Sequence, residues 1–266
     1  MEKLRIKEMY FSPGGNGKKI ADRAAKALDG EVEIIDITLP ENREEEILVE
    51  KDETLVIAMP VFASRLPNKI MPFIIDNLKS NGAKAICFVT YGNRDPGDGL
   101  SELVGLLQEN GFVPVLAGAV PSQHSFAEKL AAGRPNEKDL DQIENFVREN
   151  IDALDGSAAV KVSGSYPPGD YYRPMKEGGA PAVFLKAKPK TRDGQCNLCG
   201  ACAKKCSMGS ISRDNPKEVT GICIKCQACI KACPNHAKYF DDADFLSHKA
   251  MLEANFTEYK EIEFFR

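Results

Sequence analysis

Long apolar runs are missing from this chain of 266 residues: none approaches the roughly 20 residues that a membrane-spanning helix requires, so no membrane partner is expected. Basic excess is missing too. Lys and Arg total 35 against 39 Asp and Glu, for a formal charge of -4, which argues against a general nucleic-acid binder. The first residues, Met1 to Phe11, interleave Glu2, Lys3, Arg5, Lys7 and Glu8 with apolar side chains and lack the unbroken core of a secretory signal. A cytoplasmic protein is expected. Tryptophan is absent altogether, which by itself decides nothing, and the 43% hydrophobic and 28% charged fractions are ordinary for a globular chain.

Cysteine is nearly missing from most of the chain and concentrated in one short part. Of nine cysteines, only Cys87 lies outside the stretch from Cys196 to Cys233. Scattered pairs would indicate disulfides, whereas this density in a reducing compartment indicates metal. Cys87 sits inside the apolar run Ala85 to Val89 and reads as a buried structural thiol.

The dense stretch is an internal duplication. Cys196, Cys199, Cys202 and Cys206 recur 27 residues later as Cys223, Cys226, Cys229 and Cys233. Three cysteines stepped by three, with a fourth four residues on, can wrap three corners of a cubane and send the fourth thiolate elsewhere. Zinc sites use two separated pairs and have no need of three evenly stepped cysteines plus a trailing one.

Over about residues 190 to 240 the segment resembles bacterial-type two-cluster ferredoxins. The resemblance implies two 4Fe-4S clusters with exchanged fourth ligands: Cys196, Cys199, Cys202 and Cys233 on one, Cys223, Cys226, Cys229 and Cys206 on the other. Pro234 follows the last cysteine as in the family. Ser207 stands where the motif places the other proline, a departure that removes no ligand.

The preceding 155 residues alternate apolar strands with amphipathic helices, the pattern of a parallel sheet covered on both faces. Five strands are expected near Leu4 to Phe11, Val32 to Ile37, Thr54 to Pro60, Ala83 to Thr90 and Val113 to Ala117. Helices are expected over Lys18 to Leu28, Lys69 to Lys79, Leu100 to Asn110 and Lys138 to Leu154, with Gly30 and Gly111 just past two ends. The fold class read from this is α/β: a flavodoxin-like, doubly wound, five-stranded parallel sheet of order 2-1-3-4-5, joined to a small α+β two-cluster ferredoxin-like domain. In such a sheet, ligands sit beyond the carboxyl ends of the strands.

The loop after the first strand, Ser12-Pro13-Gly14-Gly15-Asn16-Gly17, leads into a helix, so its backbone amides and the helix terminus suit a phosphate. It is not a nucleoside-triphosphate loop, since Ser12 and Lys19 replace required Gly and Ser/Thr, and it is not a dinucleotide fingerprint, since Ile20 replaces the last Gly. It resembles the flavodoxin loop for the phosphate of flavin mononucleotide, with Ser12 and Gly15 matching and Gly14 and Gly17 in place of two threonines. The stretch beginning Pro60, Val61, Phe62 and Ala63 resembles the loop on one side of the flavin ring, and Tyr91, Gly92, Asn93 and Arg94 resemble the loop on the other. Phe62 and Tyr91 are expected as stacking residues.

Taken together the chain resembles the flavodoxin-ferredoxin fusion proteins of anaerobes. The resemblance implies FMN beside the clusters, an electron-transfer role and a redox partner protein. The expected organisation is residues 1–155 flavodoxin-like, 156–189 a linker rich in Gly, Pro and Tyr, 190–242 ferredoxin-like, and 243–266 a helical tail. Two alternatives stay open at this point. One is a flavin-dependent reductase of a small substrate, with His124 or Tyr91 as proton donor; the other is a ferredoxin whose first domain is a flavin-free docking platform.

Overall fold

The computed structural model describes residues 3–266. Its main sheet contains β1 (Arg5–Tyr10), β2 (Glu31–Asp36), β4 (Glu53–Pro60), β6 (Lys84–Tyr91), β7 (Val113–Pro121) and β10 (Glu263–Phe265), in the spatial order β2-β1-β4-β6-β7-β10. The first five run parallel, in the order 2-1-3-4-5 by their place in the chain. That is the flavodoxin-like arrangement.

Two corrections concern the sheet. A sixth, antiparallel strand, β10, pairs with β7 through Glu263↔Ala119 and Phe265↔Ala117, so the sheet is mixed and the tail is not helical throughout. The tail is helical only over α7 (Ala243–Asn255), and its end covers the β7 edge that five strands alone would leave unpaired. Phe264 stacks on Phe146 at 4.4 Å, which ties that edge strand to the helix layer.

Side chains alternate across the sheet with period two. Ile6 and Tyr10 of β1, Val56 and Ala58 of β4, and Ile86 and Phe88 of β6 face one core, closed by α1 (Asn16–Ala27) and α4 (Glu137–Glu149). Met9, Leu55, Ile57, Met59, Cys87 and Val89 face the other, closed by α2 (Met71–Asn77) and α3 (Gly99–Glu109). Cys87 is fully buried, and burial raises its thiol far above the usual range.

Helix ends follow local chemistry. Asn136 caps α4 in a reciprocal box with Asp139, and the helix stops before Asn150, giving way to a tighter turn over Ile151–Asp155. Gly111 follows α3 with φ +89, and a Cβ there would stand 2.1 Å from the Ser80 carbonyl oxygen. The helix expected over 69–79 is shorter, because Leu78 turns extended and starts β5 (Leu78–Ser80), which pairs in parallel with β3 (Ile47–Val49) as a separate two-stranded sheet. Among the described residues no helix is long and apolar enough to cross a membrane.

The cysteine-rich unit is small: β8 (Lys190–Thr191) pairs antiparallel with β9 (Lys238–Tyr239), and α5 (Ala201–Lys204) and α6 (Ala228–Lys231) lie 27 residues apart. Its backbone repeats as its sequence does. Left-handed residues recur at Leu198 and Lys225, Gly200 and Gln227, and Gly209 and His236. Each pair differs by the same 27 positions.

The intervening stretch has little regular structure but is firmly attached. The Asp98 carboxylate accepts from the backbone of Ser165 and Gly169, both at 2.9 Å, and the Tyr171 hydroxyl donates to the Leu66 carbonyl at 2.7 Å. Val160 enters the larger core.

Candidate functional site

The eight clustered cysteines sort into two cavities. One is lined by Cys196, Cys199, Cys202 and Cys233; the other by Cys206, Cys223, Cys226 and Cys229. Each cavity therefore takes three cysteines from one copy of the repeat and the trailing cysteine from the other copy. The short helices place them: α5 carries Cys202 and the turn after it presents Cys206 to the opposite cavity, while α6 does the same with Cys229 and Cys233.

Donor geometry around the sulfurs repeats too. The backbone N–H of Ser210 donates to Cys206 Sγ at 3.3 Å and that of Ala237 to Cys233 Sγ at 3.2 Å, again 27 residues apart. Lys225 N–H donates to Cys223 Sγ at 3.4 Å. The left-handed Lys225 is what turns that amide toward the sulfur.

Burial decides the charge these thiols can carry. It pushes Cys229 up to about 12 and also raises Cys202, Cys223 and Cys226, aided at Cys229 by the neighbouring sulfurs. At Cys233 burial also acts upward, but backbone N–H groups of Ala237, Lys238 and Asn235 outweigh it and the thiol is lowered. Four thiolates around an enclosed space need a positive centre to be ionised together. Among the described residues, no group of three or more His, Cys, Asp or Glu side chains is already placed to hold a metal ion.

The cavities differ in setting. The first has Cys199 exposed, beside the exposed Leu198. The second includes Met208 and Ile224, both packed on the larger core of the main sheet. Arg43 joins the units there, donating to the carbonyls of Ile37 (2.7 Å) and Thr38 (3.0 Å) and to that of Ser207 (2.8 Å).

At the carboxyl ends of the parallel strands, the loop from Ser12 to Gly17 leads into α1. Ser12 Oγ accepts the Lys18 N–H at 2.9 Å, and Gly15, with φ +88, donates its N–H to the Ser12 carbonyl at 3.1 Å. Among the described residues, none accepts a hydrogen bond from the N–H groups of Gly14, Asn16 and Gly17. Gly17 packs tightly on Ser12, where a Cβ would meet Ser12 Oγ at 3.3 Å, and the space beside Gly14 is bounded by the Lys231 ammonium at 4.0 Å from such a Cβ. Lys231 belongs to α6, so the cysteine-rich unit supplies a cation to this loop. Pro13 has no N–H to offer, and the Asn16 side chain bonds the Gln123 carbonyl at 3.4 Å.

The two loops expected around a flavin ring are joined to each other. Phe62 and Arg65 exchange backbone hydrogen bonds across the left-handed Ala63 and Ser64, and Asp98 N–H donates to the Ser64 carbonyl at 2.9 Å. Val61 N–H reaches the Thr90 carbonyl at 2.7 Å, following Pro60 at the end of β4. The Arg94 guanidinium donates to Ser64 Oγ and lies 3.9 Å above the ring of Tyr172, a residue whose backbone N–H donates to the Ala63 carbonyl at 2.9 Å. Asn93, 2% exposed, donates to the carbonyls of Phe256 at 2.7 Å and Glu258 at 2.8 Å and so fastens the loop to the tail.

Tyr91, expected as a stacking residue, is buried. Its side chain is 4% exposed and belongs to the core on the α3 side, where burial raises its phenol well above the usual range. The even-spaced alternation of β6 carries it inward, so it is not presented as a stacking residue; Phe62 remains at the loop. His124 packs on Gly92 so closely that a Cβ there would lie 2.1 Å from its ring. Its Nδ1 accepts from Phe126 N–H at 3.3 Å and Ala127 N–H at 3.1 Å, and burial, then the nearby cations, push its pKa down to about 3. A neutral, backbone-anchored imidazole of that kind is no ready proton donor near neutral pH.

Sequence reasoning missed Arg43, Tyr172, Lys231 and His248. Each acts on a residue far from it in the chain, and although Lys231 lies inside the second cysteine run, the motif gives no sign of its reaching the Ser12 to Gly17 loop. His248 bonds the Met175 carbonyl through Nδ1 at 2.8 Å and stacks on Phe184 at 5.4 Å, in an aromatic seam that links α7 to the loop after β7.

No family model matches the chain, and no curated protein matches it. Similar solved structures include a flavodoxin from the domain Archaea, 15% identical, covering 57% of this chain and all of that one with a TM-score of 0.41. A putative flavoprotein from Bacteroides uniformis is 16% identical over 57% of this chain and 99% of its own, with a TM-score of 0.36. Rubredoxin oxygen:oxidoreductase from Desulfovibrio gigas is 13% identical over 58% of this chain and 37% of its own, with a TM-score of 0.38. The fold assignment rests on strand order and direction instead.

Proposed function

We propose that the chain is an electron-transfer protein of the cytoplasm, which relays electrons between a redox partner protein, two 4Fe-4S clusters and FMN held by the flavodoxin-like unit. One observation carries the reading: two cavities, each lined by three cysteines of one repeat and the trailing cysteine of the other. This crossed set is the ligand arrangement of two-cluster ferredoxins. Cys196, Cys199, Cys202 and Cys233 would hold one cubane, and Cys223, Cys226, Cys229 and Cys206 the other.

Cubanes of this kind supply one-electron chemistry. The chain contributes the rest. Cys202 and Cys229 are buried away from water, and the N–H groups of Ser210, Lys225 and Ala237 on cysteine sulfur offset the negative charge gained on reduction.

For FMN, the unpaired N–H groups of Gly14, Asn16 and Gly17, with Lys231 beside them, fit the phosphate. They stand in for the hydroxyl donors that Gly14 and Gly17 lack. Phe62 and the backbone of Gly92 to Arg94 would meet the ring and its polar edge. A neutral His124 and an inward Tyr91 leave the site without an evident acid, which favours a carrier over a reductase with its own substrate.

A second reading, in which the first unit is a flavin-free docking platform, is favoured by the bonds joining the two ring loops through Ser64, Arg94 and Tyr172. Anaerobic purification with iron, sulfide and released-flavin analysis on one sample decides. The proposal expects about eight irons and eight sulfides per chain, with close to one FMN. Flavin far below one per chain after reconstitution selects the docking platform, and zinc or cystine in place of iron and sulfide overturns both.

A further inference from the structure

The duplicated cysteine unit has one chemical asymmetry at its centre. Position by position, Ser207 after Cys206 corresponds to Pro234 after Cys233. Proline carries neither hydroxyl nor N–H, whereas Ser207 places its Oγ 3.5 Å from Cys226 Sγ.

The hydroxyl is not there by default. Ser207 is 1% exposed, so water does not compete for it, and among the described residues Cys226 is its side chain's hydrogen-bonding partner. A cluster-bound cysteine is a thiolate with no proton to give, which makes Ser207 the donor. Its backbone is held from the other unit, since the Arg43 guanidinium grips the Ser207 carbonyl at 2.8 Å while anchored on Ile37 and Thr38. The donor therefore has a fixed position, set by the flavodoxin-like unit.

We propose that Ser207 is a potential-setting residue: its hydroxyl donates to the Cys226 thiolate and raises the reduction potential of the inner cubane, the one adjoining the flavodoxin-like unit. The inference rests on the two-cluster reading above. Reduction adds one negative charge, so a donor on sulfur stabilises the reduced state more than the oxidised state. The electron gained comes from the external redox partner and no bond is made or broken in the chain. An electron arriving at the exposed Cys199 side is thereby held more strongly at the inner site than a proline at 207 would allow.

The test uses anaerobically purified, cluster-loaded full chain with Ser207→Ala, Ser207→Thr and Ser207→Pro, the last being the residue that the motif itself carries. EPR-monitored redox titration reads both potentials. Ala and Pro are expected to lower one of the two by about tenfold in its equilibrium constant, about 59 mV for one electron, leave the other in place, and Thr is expected to restore it. A purely structural role would alter cluster content or both potentials alike. With iron near eight per chain and both potentials unmoved in Ala and Pro, the inference fails while the two-cluster reading survives; with iron absent from the wild-type chain, the two-cluster reading itself fails.

Discussion

The crossed ligand set makes a prediction that an uncrossed arrangement, with each repeat holding its own cluster, does not share. Removing Cys206 with Cys206→Ala should empty the cavity it lines with Cys223, Cys226 and Cys229, although Cys206 belongs in sequence to the other copy. Each cavity holding one cubane, the single variant should keep about four of about eight irons. Pairs of substitutions then separate the alternatives. Cys206→Ala with Cys226→Ala strikes one cavity twice and should still keep about four irons, whereas Cys206→Ala with Cys199→Ala strikes both and should keep almost none. Iron and acid-labile sulfide on anaerobically isolated protein, with far-ultraviolet circular dichroism to confirm folding, give the answer. The opposite pattern, near-complete loss in the first pair and retention of half in the second, would refute the crossed arrangement.

Other consequences follow from single residues. Glu8 is 3% exposed with Oε1 unpartnered, and its pKa is raised from 4.5 to about 8 by burial first and by the adjacent Asp22 second. Folding then takes up a proton, so this group's contribution is fully present below about pH 4.5 and is lost as pH rises to about 8. Glu8→Gln should gain on the wild type by up to roughly 1.4 kcal/mol per pH unit across that window in anaerobic urea unfolding, and a flat difference would count against it. Asp139→Asn strands Arg134, itself 6% exposed, and should destabilise by about 3 kcal/mol or more, read as a fall in urea midpoint. Gly111→Ala forces a side chain onto the Ser80 carbonyl at positive φ and should cost at least about 1 kcal/mol by the same assay. Lys231→Gln should weaken FMN binding by up to roughly fivefold, for an exposed charge worth at most about 1 kcal/mol, while leaving riboflavin unchanged in fluorescence titration.

The parallel sheet was legible because its central strands β4, β6 and β7 are short apolar runs and most crossovers carry a periodic helix. Nothing local marked β10: Glu263 to Phe265 is three residues long, and only the unpaired edge of β7 makes it a strand. The helix over 69–79 was overestimated for the same reason, since β3 captures Leu78 to Ser80 from outside the segment. Among the flavin loops, Tyr91 looked like a stacking aromatic in sequence, yet the alternation of β6 buries it. His124 was noticed, but its neutrality comes from burial and from nearby cations such as Arg94 and Lys231, which no motif encodes.

By itself, the sequence determined the duplication, the cysteine spacing and the order of alternating strands and helices, because these depend on residues close together in the chain. Tertiary structure alone decided that Arg43 and Lys231 bridge the two units and that the tail closes the sheet. Those contacts join residues more than 100 positions apart, and their partners are chosen by packing and charge across the fold, not by local pattern.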